Sequence, residues 1–222
     1  MRETKKTCPE RSRGKGKVVI VSGPSGVGKS TICREVAKRL NNTYLSVSVT
    51  TRPRGPGETH GQDYWFISEQ EFAERIRQGL LLEYAEVFGH LYGTPKDKVD
   101  EQLMAGKTVI LEIDVQGAKQ AKAIYPDAVM IFILPPSAKV LADRMGRRGR
   151  DDTEEAEERL GGASSEIAAA WQYYQHLVIN EDLQQAVKEV VQIIQGTSLS
   201  ERSADENPQA NVGRDDVRRA QK

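Results

Sequence analysis

The chain has 222 residues, with 32 basic and 32 acidic side chains, so its formal net charge at neutral pH is zero. A neutral chain gives no bulk electrostatic reason to expect non-specific binding to nucleic acid. No stretch approaches the roughly 20 apolar residues of a membrane helix, and no apolar segment follows the charged N-terminal residues as in a signal peptide. Two cysteines, Cys8 and Cys33, form no disulfide framework. We therefore expect a cytoplasmic protein without nucleic-acid or membrane partners.

The first predicted elements are a strand and a helix separated by a glycine-rich turn. Residues 1–16 are polar and basic and are expected to form a flexible tail. A short β-branched run over 17–21 predicts a buried strand. Ile32, Val36 and Leu40 are spaced four apart, which predicts one apolar face of a helix over 31–40. The length suits one α/β domain, or such a core with a small lid.

The turn between them, Gly23-Pro24-Ser25-Gly26-Val27-Gly28-Lys29-Ser30, matches the G-x-x-x-x-G-K-[ST] pattern of a phosphate-binding P-loop. Its glycines let backbone N–H groups point inward, and the helix start adds its positive dipole end. Lys29 would then reach the β- and γ-phosphates of a nucleotide, and the Ser30 hydroxyl would ligate Mg²⁺. The alternative is a glycine-rich turn that binds nothing. The residues assigned to the nucleotide site are Gly23, Pro24, Ser25, Gly26, Val27, Gly28, Lys29, Ser30 and Thr31.

The region 45–94 is predicted to be a small mixed sheet with one helix, inserted after the second core strand. Apolar and hydroxyl side chains alternate over 44–50, as in a strand. The loop at 51–58 breaks that pattern and carries Arg52 and Arg54, which suit an anion clamp, although a solvated turn is the alternative. An aromatic strand over 63–67, a helix capped by Ser68 and a hairpin around Gly89 complete the insertion.

The chain then returns to the core. A helix over 95–105 precedes a buried strand over 108–114, which ends in Glu112 and Asp114. An acid after such a strand holds Mg²⁺ in P-loop enzymes; the alternative is solvation at the strand edge. A helix over 115–123 and a strand over 128–134 follow. Because strands alternate with helices, we expect an α/β fold, with a parallel P-loop sheet covered by helices on both faces.

The last third of the chain predicts a helical lid and then the end of the core. A helix over 137–145 leads to the basic stretch 146–150, and a second helix over 153–174 contains a Gly161-Gly162 pair where we expect a kink or hinge. Basic residues on a mobile lid suit charge neutralisation during phosphoryl transfer; a solvated charged helix is the alternative. A strand over 177–180 and a helix over 182–195 close the core, and 197–222 is expected to be disordered.

In this order the motifs resemble those of the guanylate kinase family, from about residue 16 to 195. The resemblance is carried by G-P-S-G-V-G-K-S at 23–30, S-V-S-V-T-T-R at 46–52, G-E-x-x-G-x-D-Y-x-F at 57–66, E-Y-A at 83–85, Y-G-T at 92–94, L-E-I-D-V-Q-G at 111–117, R-R-G-R at 147–150 and V-I-N-E-D-L at 178–183. It implies a core over 17–44, 95–135 and 166–196, a GMP-binding domain over 45–94 and a lid over 136–165 that closes over ATP.

The resemblance also implies roles for individual residues. Guanine would be read by Ser48, Glu83 and Thr94. The GMP phosphate would be held by Arg52, Tyr64 and Tyr92, with Arg54 as a further GMP contact. The transferring phosphoryl group would be stabilised by Lys29, Arg148 and Arg159, and Arg52 would also be catalytic. In addition, Arg148 would contact ATP and Arg159 would contact GMP. Asn180 would lie near the adenine, and Glu112 and Asp114 near the metal and the GMP, with Ser30 and Glu112 as the metal ligands.

One position departs from the family pattern. The family usually spaces its loop arginines three apart, as T-T-R-x-P-R-x-G-E, whereas here the loop is T-T-R-P-R-G-P-G-E and Arg54 comes one position early. The loop length is unchanged, so Arg54 would reach the GMP phosphate by a different backbone path.

The sequence thus predicts a guanylate kinase that uses ATP and Mg²⁺ to phosphorylate GMP, as a monomer or homo-oligomer. One alternative is a guanylate-kinase-like interaction domain without catalysis, which typically lacks the P-loop lysine. Another is a nucleoside monophosphate kinase with a different acceptor base. Glu83 favours guanine, because one carboxylate can accept hydrogen bonds from both N1–H and N2–H₂.

Overall fold

A computed structural model describes residues 16–146 and 153–197, without the side chains of 153–160. Nine strands and seven helices lie in this part of the chain. The strands are β1 Lys17–Ser22, β2 Thr43–Leu45, β3 Val49–Thr50, β4 Trp65–Phe66, β5 Leu81–Val87, β6 His90–Pro95, β7 Thr108–Glu112, β8 Val129–Leu134 and β9 His176–Ile179. The helices are α1 Lys29–Arg39, α2 Glu69–Arg77, α3 Lys96–Met104, α4 Val115–Ile124, α5 Ala138–Gly146, α6 Thr153–Tyr173 and α7 Leu183–Gln195.

The core sheet has the order β2-β7-β1-β8-β9 and all its pairings are parallel. Strand β1 lies at its centre, with Ile20 in register with Leu111 on one side and Met130 on the other. Alternate β1 side chains belong to different buried clusters. Val19 packs with residues of α1 and α7, whereas Ile20 packs with residues of α3, α4 and α6. The predicted parallel sheet with helices on both faces is therefore confirmed.

A second, mixed sheet has the order β4-β3-β6-β5, with β3 parallel to β4 and antiparallel to β6. The predicted hairpin is β5–β6, and its tight turn places Phe88 and Gly89 at positive φ of 49° and 72°. The predicted helix of this region is α2. Its first turn is capped by Ser68, whose Oγ accepts a hydrogen bond from the Glu71 N–H at 3.1 Å.

The prediction of one strand over 44–50 is wrong, because the chain changes sheets within this stretch. The Ser46 N–H still donates to Ile110 O of the core sheet at 2.9 Å, whereas Ser48 O accepts from the Trp65 N–H of the second sheet at 2.9 Å. The alternation of side chains does not identify the partner strand, and two partners share this stretch.

Smaller differences concern element ends. Only Trp65 and Phe66 of the predicted aromatic strand pair in the sheet, because Gly61 to Tyr64 form a turn closed by a Gly61 N–H to Tyr64 O hydrogen bond of 2.9 Å. Helix α1 begins at Lys29, two residues earlier than predicted. Helix α6 runs without interruption through the Gly161-Gly162 pair. In the described part of the chain, no helix combines the length and the apolar character needed to cross a membrane.

Candidate active site

The glycine-rich loop joins the C-terminal end of β1 to α1 and is shaped by close packing. Gly28 caps α1 at φ 103°, and a Cβ there would lie 2.6 Å from Asn180 Nδ2. A Cβ at Gly23 would lie 2.5 Å from Ile133 O. Only glycine fits either position. No side chain caps α1, so its first-turn N–H groups remain available for the oxygens of an anion.

The lysine and serine of the motif point to different partners. Lys29 Nζ donates to Gly23 O at 2.5 Å and to Pro24 O at 3.0 Å. Ser30 Oγ donates to Glu112 Oε1 at 2.6 Å. Glu112 ends β7, which neighbours β1, and parallel strands bring these two ends to the same edge. The structure therefore brings together both residues predicted to ligate the metal.

This pair fits a hard cation that takes oxygen ligands. Mg²⁺ is usually held by one or two carboxylates, with substrate phosphates and water filling its other positions. A hydroxyl and a carboxylate 2.6 Å apart, beside a phosphate-binding loop, are such a partial set. No cluster of three or more His, Cys, Asp or Glu residues suited to a metal exists within the described ranges. The protein alone thus offers an incomplete shell that a nucleotide would have to complete.

A small open cleft lies beside Ser30 of the P-loop. It is lined both by Ser30 and Glu112 of the core and by Ser48 and Tyr64, which come immediately before β3 and β4 of the second sheet. Arg34 and Asp63 form an ion pair at its rim, which ties α1 to the segment before β4. The sequence did not single out this pair as functional. The cleft is lined by Ser30, Arg34, Ser46, Ser48, Asp63, Tyr64 and Glu112.

Arg52, Tyr64 and Tyr92 lie together, as predicted for a phosphate site. Arg52 Nε donates to Tyr92 Oη at 3.2 Å, and its guanidinium lies 5.5 Å from the centre of the Tyr64 ring. The two tyrosine rings are 5.8 Å apart. Glu58 holds the same guanidinium through a 2.8 Å ion pair. Arg54 is exposed and forms no hydrogen bond or ion pair with the described residues, so its GMP contact stays a prediction.

Glu83 is a buried carboxylate, 3% exposed, on β5. Thr94 Oγ1 on β6 donates to Glu83 Oε1 at 2.6 Å, so two of the three predicted guanine readers are in contact. Burial raises the pKa of Glu83 from 4.5 to about 7; the Thr94 hydrogen bond lowers it and the nearby Asp114 carboxylate raises it. Asp114 itself caps α4, its Oδ1 accepting from the Gly117 N–H at 2.8 Å.

Asn180 lies behind the P-loop. Its Nδ2 donates to Val27 O at 2.8 Å, and Arg144 donates both to Val27 O at 3.3 Å and to Asn180 O at 2.9 Å. Asn180 Oδ1 is buried and unpaired within the described residues. Asn180 and Arg144 thus support the loop, a role that the sequence did not indicate for Arg144. The predicted adenine contact of Asn180 stays a prediction.

Glu166 on α6 is a buried carboxyl group near Lys29 and Asp114 that the sequence does not single out. Its Oε2 is buried without a hydrogen-bond partner among the described residues. Burial raises the pKa of Glu166 from 4.5 to about 7, with Lys29 lowering it and Asp114 raising it. Glu166 lies in a Ser- and Ala-rich helical stretch, so nothing in the surrounding sequence indicates that its carboxyl group is buried. Arg148 and the side chain of Arg159 lie outside the described residues.

The central strand of the parallel core sheet leads directly into a P-loop, and a second, mixed sheet accompanies this core. These features define a P-loop nucleotide-binding protein.

Comparison with known proteins identifies the family. A family model described as guanylate kinase matches residues 15–197. The chain is 45% identical over 185 residues to the guanylate kinase of Carboxydothermus hydrogenoformans, and the aligned region covers 83% of this chain and 90% of that relative. It is 49% identical over 178 residues to the guanylate kinase of Gloeobacter violaceus, spanning 80% and 86%. The crystal structure of guanylate kinase from Anaplasma phagocytophilum matches with a TM-score of 0.69 and 32% identity, covering 84% of this chain and 88% of that chain. The chain belongs to the guanylate kinase family.

The raised pKa of Glu83 predicts a pH-dependent stability. Because the folded-state pKa of about 7 exceeds the ordinary 4.5, the folded protein binds this proton more tightly, and the free energy of unfolding falls as pH rises between those values. Glu83→Gln removes that loss. We expect the variant to match the parent within about 1 kcal/mol at pH 5 and to exceed it by up to about 3 kcal/mol at pH 8.

Urea unfolding at the two pH values measures the difference. Glu86→Gln, on the same strand but exposed, is the matched control and should differ from the parent equally at both. An advantage of Glu83→Gln that does not grow between pH 5 and pH 8 would contradict the assignment of a strained, buried carboxylate.

Proposed function

We propose that the protein transfers the γ-phosphoryl group of ATP to GMP, giving ADP and GDP. The observation that carries this proposal is the shared cleft. Ser30 of the P-loop and Glu112 at the end of β7 line it together with Ser48 and Tyr64, which lead into β3 and β4 of the second sheet. A donor nucleotide on the loop and an acceptor on the second sheet would then meet between them, and holding two reactants in line supplies much of the catalysis of phosphoryl transfer.

The donor phosphates would be held by the first-turn N–H groups of α1 and by Lys29. The Lys29 ammonium has three donors and uses two on the Gly23 and Pro24 carbonyls, which phosphate oxygens would replace. Ser30 and Glu112 would hold Mg²⁺, which when bound neutralises charge on the phosphate oxygens. No general base is needed, because the acceptor is already a phosphate oxygen.

The acceptor would be held at two ends. Arg52, Tyr64 and Tyr92 would bind the GMP phosphate, with Glu58 fixing the guanidinium until the phosphate arrives. Glu83 would accept from guanine N1–H and N2–H₂ while Thr94 keeps its Oε1 in place. Residues 45–94 would form the GMP-binding domain and 136–165 the lid, bringing Arg148 and Arg159 to the transferring group. Cytoplasmic location and oligomeric state, monomer or homo-oligomer, stay predictions from the sequence.

Lys29→Met tests whether the loop is catalytic. The substitution removes the ammonium that would neutralise the β- and γ-phosphates, so we expect kcat to fall by at least about a hundredfold, since charged hydrogen bonds contribute roughly 1.5–3 kcal/mol each. Lys38→Met, an exposed lysine on the same helix, is the control and should keep parental turnover. Turnover within threefold of the parent in Lys29→Met would instead support a non-catalytic interaction domain.

Glu83→Gln tests the choice of base. The change removes the charge and replaces one acceptor oxygen with an NH₂ donor, so kcat/KM for GMP should fall by about a hundredfold or more from the loss of charged hydrogen bonds. Adenine offers an acceptor at N1, so the loss for AMP should be far smaller and the GMP:AMP ratio should narrow. Tyr64→Phe, on the phosphate side, should weaken GMP without narrowing that ratio. An unchanged ratio in Glu83→Gln would remove Glu83 from the guanine site.

A further inference from the structure

Helix α4 of the core packs against β5, the strand that carries Glu83. The side-chain amide of Gln120 pairs with both backbone groups of Tyr84. Its Nε2 donates to Tyr84 O at 2.7 Å, and its Oε1 accepts from the Tyr84 N–H at 3.3 Å. Strand β5 is at the edge of the second sheet, so these groups would otherwise lack a strand partner. Gln120 therefore fixes the backbone immediately next to Glu83.

Gly117 lies one turn before Gln120, where α4 meets the Glu83 side chain. A Cβ built on Gly117 would lie 2.2 Å from Glu83 Oε2 and 3.0 Å from Glu83 Cδ. A side chain at position 117 would therefore force the Glu83 carboxylate to move. The backbone of Gly117 is helical and has no positive φ, so its conformation does not require glycine.

Glycine at a helical position is less favourable than alanine by roughly 1 kcal/mol. At Gly117 this disadvantage has a local explanation, namely the space that the carboxylate occupies. With Oε1 held by the Thr94 hydroxyl at 2.6 Å and Oε2 against Gly117, the carboxylate has one orientation.

We propose that Gly117 is a positioning residue that determines base specificity. Because it has no side chain, it leaves the space in which the Glu83 carboxylate is oriented towards guanine. Gln120 supports this arrangement by holding the β5 backbone next to Glu83. This inference rests on the proposed function, since it gives Glu83 the role of guanine reader. It assigns to the start of α4 a part in base selection, although α4 belongs to the core and not to the second sheet.

Gly117→Ala is the direct test. The added methyl displaces the carboxylate, so we expect the KM for GMP to rise at least tenfold, the KM for ATP to stay within twofold, and the GMP:AMP ratio of kcat/KM to narrow. Ala123→Gly is the control, because it makes the opposite substitution on the exposed face of the same helix. It should lower Tm and leave the KM values for GMP and for ATP unchanged. A KM for GMP within twofold of the parent in Gly117→Ala overturns the proposal.

A double variant tests whether Gly117 acts through Glu83. Glu83→Asp shortens the side chain by one methylene and withdraws the carboxylate from position 117. In the Gly117→Ala background the further loss of kcat/KM for GMP should be at least fivefold smaller than the loss that Glu83→Asp causes alone, because the two changes share one contact. Fully additive losses would mean that Gly117 acts independently of the carboxylate, and they overturn the proposal.

A measurement without nucleotide separates this inference from the proposed function. Carbon-13 NMR titration of the Glu83 carboxyl should place its pKa near 7 in the parent and closer to 4.5 in Gly117→Ala, as the group leaves its buried seat. An unchanged titration overturns the positioning role. If the titration moves and the GMP:AMP ratio does not, the contact stands and the assignment of Glu83 as guanine reader is wrong.

Discussion

A carboxylate buried between the second sheet and helix α4 is the constraint on which the rest of the site depends. Removing a carboxylate from water is unfavourable unless hydrogen bonds or charges compensate, and Glu83, 3% exposed, has one hydroxyl donor, Thr94, and an acid, Asp114, nearby. Its pKa of about 7 expresses that imbalance. A base with two adjacent N–H donors would correct it, so the binding of such a base and the relief of strain in the protein are the same event.

Each cation of the site already has oxygen partners within the protein, which the oxygens of a bound anion would replace. Lys29 donates to two loop carbonyls, Arg52 to Glu58 and to the Tyr92 hydroxyl, and Arg34 to Asp63. These contacts hold the cations in place without satisfying them fully. The phosphate oxygens of the proposed substrates would therefore meet donors that are already ordered, which would reduce the entropy lost on binding.

Most of the fold follows from signals that are local in sequence. Nearly every strand and helix is predicted by buried β-branched runs, by glycines at element ends and by the Ser68 cap. The P-loop motif predicts the glycine-rich turn between β1 and α1, whereas the phosphate contact of Lys29 and the metal contact of Ser30 stay predictions. The prediction of one strand over 44–50 is wrong because the alternation of side chains along a strand carries no information about its partner strand. The second sheet begins within this stretch because β3 pairs with β4 and β6.

The parts of the site that the sequence did not predict come from contacts between distant elements. Glu166 and Arg144 look like ordinary polar helical residues, and their roles arise only when α6 and α5 pack beside the P-loop and Asn180. Gly117 belongs to a motif that indicates the family. Its proposed role, however, depends on the carboxylate of Glu83, which lies 34 positions earlier in the chain. No periodicity or spacing encodes such a contact.

The proposed function requires that one molecule combine an ATP site on the P-loop with a guanine site at Glu83. A coupled assay of the 222-residue chain, with ATP and each of GMP, AMP, CMP and UMP, tests it most directly. We predict that kcat/KM for GMP exceeds that for each of the other three by at least about a hundredfold, the order expected when a buried polar group is left unpaired. Equal turnover of AMP and GMP, or no turnover of any monophosphate, would contradict it.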